Sequence, residues 1–87
     1  MIHSMSGGVI AENGEYLFAK VDVKGAPYWY LSPFSSLKAG DEVLVPFGKS
    51  GALTRGVVLR TERCTRQTAP YPMNRITSIE EILQKQV

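Results

Sequence analysis

One histidine, one cysteine and eight carboxylates bound the chemistry open to this 87-residue chain. His3 lies in a polar amino-terminal stretch, residues 1–8, that is expected to be disordered. A catalytic imidazole must be held against a partner, and that stretch supplies none. Cys64 stands between Arg63 and Arg66, whose charges favour a thiolate, but it has no base beside it in sequence. Asp41 and Glu42 are adjacent, so on a strand they point to opposite faces and form no acid–base pair. Spacings that hold a metal are absent, so neither metal nor cofactor is expected. Gly48-Lys49-Ser50 resembles the end of a phosphate-binding loop, but Val43 stands where the loop's first glycine belongs. A β-prone segment follows it instead of a helix. The chain therefore reads as a protein that is not an enzyme.

The remaining inventory is aromatic and basic. Net charge is only +2, but from Lys49 to Arg75 six cations face a single acid, Glu62. Clustering of this kind is the footprint of a phosphate-facing surface, or else the solvated face of a strand. Aromatic rings among cations form stacking platforms for single-stranded nucleic acid. Trp29 and Tyr30 are the candidate stacking residues, and Lys49, Arg55, Arg60, Arg63 and Arg66 the candidate phosphate contacts. Alternation on one strand allows only one face of Tyr28-Trp29-Tyr30 to meet a ligand. Either Trp29 and Leu31 or Tyr28 and Tyr30 belong to the core. Phe47 reads as core, and Tyr71, between two prolines, as a loop anchor.

The elements that must position these residues are mostly strands. Leu17, Ala19, Val21 and Val23 alternate with Phe18, Lys20 and Asp22, which predicts a strand over 16–23 with one buried face. Lys24-Gly25-Ala26-Pro27 is a turn, and the aromatic run is the returning strand. Glu42 to Phe47 is a third strand, with Pro46 at a strand end or edge. Leu53 to Glu62 is the longest, with a bulge or bend expected at Gly56. Residues 75–77 read as a short further strand. Ser78 and Glu81 form a capping box, followed by Ile79, Ile82 and Leu83 at helical spacing, which predicts a short helix over 78–86. The expectation is one mainly β domain: a small five-stranded curled sheet or barrel over 9–77, closed by one short carboxy-terminal helix.

The stretch Leu37-Lys38-Ala39-Gly40-Asp41-Glu42-Val43-Leu44-Val45-Pro46-Phe47-Gly48-Lys49, followed by Gly56-Val57-Val58, resembles the amino-terminal 3′-end-binding domain of the primosomal helicase PriA. The likeness runs from about Tyr28 to Leu59. It implies a small β-barrel that binds the terminal nucleotide of a DNA strand. The family's hairpin motif, aromatic-Asp-Tyr, falls on Tyr28, Trp29 and Tyr30. Trp29 replaces the aspartate, and an indole N–H cannot accept a hydrogen bond from a 3′ hydroxyl. Ala69-Pro70-Tyr71-Pro72 and the Pro46-Phe47-Gly48-Lys49 turn also resemble those of short stand-alone bacterial proteins.

Two functional readings follow. In the first, the chain is a nucleic-acid-binding module for single-stranded or 3′-end DNA. In the second, it is a protein-interaction or oligomerising adaptor that uses an open sheet edge or an exposed aromatic patch. A small enzyme or ligand carrier is a third class, for which no converging polar set is found. No apolar run approaches the roughly 20 residues of a membrane helix, and no secretory signal is evident. With a single cysteine, the expected compartment is the cytoplasm and the membrane is not an expected partner.

Overall fold

A two-residue turn sets the first register. Lys24 and Gly25 both take positive φ, 54° and 88°, the left-handed pair that a tight hairpin needs. The turn joins β1 (Tyr16–Val23) to β2 (Ala26–Ser32), pairing Val23 with Ala26 and hence Lys20 with Trp29. The computed structural model describes residues 14–85, so the expectations for residues 1–8 and for 9–13 lie outside the described residues. β3 (Glu42–Phe47), β4 (Ala52–Cys64) and β5 (Glu81–Gln84) complete one antiparallel sheet in the order β2-β1-β4-β3-β5. The fold is mainly β, and the strand pairing leaves the sheet open, with β2 and β5 as its edges.

The inner face is the expected row. Leu17, Ala19, Val21 and Val23 pack with Tyr30, Val43, Val45, Val58 and Ile79. The outer row of β1 is not the solvated face expected of it. Tyr16 and Phe18 are buried there with Leu31 under Met73 and Ile76 of the loop after β4. Gly56 shows how closely β4 crosses β1. A Cβ there would meet a Val21 methyl at 2.6 Å and the Asp22 carbonyl oxygen at 3.0 Å. The register shift lies elsewhere, between Lys20 and Val21, where Leu59 is left over on β4. Gly56 is thus a point of close approach, and the bulge stands three residues on.

Two other expectations are corrected. Residues 75–77 are no strand: the amides of Arg75 and Ile76 both bond to the Pro72 carbonyl in a turn. No helix occurs at 78–85, the described part of the expected 78–86 helix. Ile79 N–H bonds to Leu31 O on β2, Glu80 N–H to Leu44 O on β3, and Glu81–Gln84 form β5. A helix of two turns is marginal alone, whereas two sheet edges here offer unpaired backbone groups to an extended chain. Lys85, just past β5, fastens the segment by pairing with the fully buried Asp41 at 2.9 Å. No described helix is long and apolar enough to cross a membrane.

Candidate functional site

Alternation along β2 sends Trp29 to one face and its tyrosine neighbours to the other. Tyr30 sits opposite Ala19 in the inner row, is 4% exposed, and its hydroxyl donates to the Pro46 carbonyl oxygen at 2.9 Å. Burial, and then the neighbouring Tyr28, push its phenol above the ordinary value, which keeps it a donor. Trp29 faces outward. It pairs with Lys20, and Lys20 with Arg60, so the three form a row across β2, β1 and β4. Lys20 Nζ lies 5.8 Å and Arg60 Cζ 5.5 Å from the centre of the indole ring. Both are within the range of a cation–π contact, and both orient the ring. Arg60 also pairs with Glu62 at 2.7 Å. Both partners are partly exposed, so the pair is worth about 0–1 kcal/mol.

The other candidate cations are spread around the molecule. Arg55 pairs with Leu44 and lies on the outer side of β4, exposed. Lys49 projects from the β3–β4 turn, at the far end of that hairpin. Arg63 sits opposite Leu17, on the inner side near the end of β4, and Arg66 in the loop beyond. The structure therefore brings together Trp29 and Arg60 with Lys20, which the sequence reading had not chosen. It does not assemble the basic stretch into one patch.

A second feature lies beside this row. Residues 77–80 bridge β2 and β3, and beside that bridge β2 and the β3–β4 hairpin leave a cleft of about 430 Å³. Tyr28, Pro46, Phe47, Tyr71 and Arg75 line it, and among the described residues no carboxylate does. Tyr28 and Phe47 meet edge to face across it, 5.1 Å between ring centres. Tyr71, expected to anchor its loop, is 40% exposed at this cleft, and Phe47 both touches the core and lines the wall. Sequence reasoning missed Lys20 and Arg75. Lys20 was legible: a two-residue turn at Lys24-Gly25 places it opposite Trp29. Arg75 was not, because its position depends on how the loop after β4 folds back.

Cys64 is a half-buried free thiol. Its thiol is pushed up by burial and then by the Glu62 carboxylate, whose Oε1 lies 3.8 Å from Sγ, and is not drawn down by Arg63 and Arg66. Such a thiol is a poor nucleophile at neutral pH. Among the described residues, no three His, Cys, Asp or Glu side chains converge as a metal site. In comparisons with known proteins, no family model, no curated protein and no solved structure matches this chain.

Proposed function

We propose that this domain binds single-stranded nucleic acid, DNA with a free 3′ end being the first substrate to test, and does no chemistry on it. The observation that carries the reading is the Trp29 ring oriented by Lys20 and Arg60 on an outward sheet face. A base can stack on this ring as the long, partly exposed cations over it swing aside to meet the flanking phosphates. Arg55, farther along the same side of β4, extends the path, and the PriA-like segment from Tyr28 to Leu59 points the same way. With Trp29 in place of the family aspartate, stacking rather than hydroxyl acceptance is the expected source of affinity.

Fluorescence anisotropy with labelled oligonucleotides tests this. Substrates with a 3′ hydroxyl and a 3′ phosphate should bind alike, and duplex more weakly. Trp29→Ala should weaken binding by about 1–3 kcal/mol, the worth of one stacked base. Absence of binding at low salt, or an unaffected Trp29→Ala variant, contradicts the reading. One observation favours the adaptor reading instead. Leu53, Val57 and Leu59 on β4 are 52%, 39% and 47% exposed, three large apolar side chains left open to solvent along one strand. A stable oligomer in light scattering that disperses on Leu53→Lys would support it.

A further inference from the structure

The cleft beside β2 combines three properties that the nucleic-acid reading does not use. The first is an open strand edge. Leu31 turns both its N–H and its C=O away from β1, to Thr77 and Ile79. Backbone groups alternate along a strand, so Trp29 turns its own N–H and C=O the same way. No described segment meets them, because the chain before Thr77 has bent into the turn at Pro72. The facing edge of β3 is closed by contrast: Pro46 has no N–H, and its carbonyl is taken by the Tyr30 hydroxyl. An extended chain entering the cleft can therefore pair with β2 but not with β3.

The second property is the wall. Tyr28, Phe47, Tyr71 and Pro46 make it aromatic and apolar. The third is charge. Arg75 stands in the lining, and among the described residues no ion pair engages it and no carboxylate lines the cleft. An edge donor and acceptor, an apolar wall and an uncompensated cation are together the recognition chemistry of an extended acidic peptide. We propose that this cleft captures such a peptide by strand addition at Trp29. An apolar side chain of the ligand enters between Tyr28 and Tyr71, and a carboxylate of the ligand meets Arg75. The site uses the Trp29 backbone, whereas nucleic-acid stacking would use its ring, so either can hold without the other.

The probes are fluorescein-labelled, end-blocked octapeptides of serine carrying one leucine, phenylalanine or proline and one aspartate two positions away. Lysine-for-aspartate and all-serine peptides are the controls. Binding is read by anisotropy, and its place by amide shifts in the 15N-labelled protein. At least one aspartate peptide should bind saturably, shift the Trp29 amide, and bind at least tenfold more tightly than its lysine counterpart. Arg75→Glu should lose at least tenfold, and Tyr71→Ala should also weaken binding. Both residues are exposed, so neither variant endangers folding. The proposal is overturned if no peptide binds at millimolar concentration, or if Arg75→Glu binds as well as the parent. It is likewise overturned if a tetrathymidylate, and no peptide, shifts the Tyr71 and Arg75 amides, for the cleft would then belong to nucleic acid.

Discussion

Trp29 is half-buried, packed against the cluster of Phe18, Leu31, Met73 and Ile76 and approached by two cations. Its neighbours set the sign of one prediction. Glu62 competes with any phosphate for Arg60, which it contacts at 2.7 Å. Replacing Glu62 by Gln should free that guanidinium and raise oligonucleotide affinity about two- to fivefold, as loss of one exposed ion pair allows. Anisotropy at low salt reads it, and a fall in affinity would show that Glu62 instead positions Arg60 for binding. At this scale the sequence was informative where pairing is local, as in Trp29 opposite Lys20. The order of aromatics offered Trp29 with Leu31 or Tyr28 with Tyr30 as the core pair, and neither pair holds: Tyr30 is buried on one side of β2 and Leu31 on the other, while Tyr28 is exposed and Trp29 half-buried. The sequence was uninformative at Cys64, because Glu62 and burial act on the thiol through the fold, whereas Arg63 and Arg66 are near only in the chain.

The elements were legible wherever two-residue periodicity and turn residues agreed, as in β1, β2 and β3. The carboxy-terminal segment was misread because its helical spacing is real, and tertiary demand outweighs it. Ile79 is buried in the core, and Glu81–Gln84 extend to pair with β3, which a helix would forbid. That segment is held by Lys85 on Asp41, whose carboxylate also accepts the Lys38 amide at 3.0 Å. Asp41 is fully buried and the Lys85 side chain is 41% exposed. Lys85→Ala removes the countercharge of this carboxylate and should cost about 2 kcal/mol, less than a fully enclosed pair because water reaches the lysine side. Urea unfolding measures it, and unchanged stability would mean that β5 stands without this clasp. Gly56 makes a second element-scale prediction. An alanine Cβ would collide with Val21 and with the Asp22 carbonyl, so Gly56→Ala should destabilise by about 1–3 kcal/mol. A variant as stable as the parent would show that β4 can move away from β1 at little cost.

Across the whole molecule, charge was the least legible feature. Six cations between Lys49 and Arg75 look like one patch in sequence, but a long strand, a bulge at Leu59 and a folded-back loop distribute them over different faces. Arg60 and Arg55 share a side of the sheet with Lys20 and Trp29, while Arg75 turns up at the cleft. Three cations acting on a single strand give a salt slope of about −2, or about a 20-fold loss of affinity between 50 and 200 mM salt. Trp29 is the only tryptophan in the chain, so its emission reports directly on the surface in question. The most direct measurement is a titration of the protein with an unlabelled single-stranded oligonucleotide, following that emission at both salt concentrations. Saturable quenching at 50 mM salt, weakened about 20-fold at 200 mM, is the result expected of a base stacked on Trp29 between cations. Emission that stays constant up to millimolar oligonucleotide would contradict it.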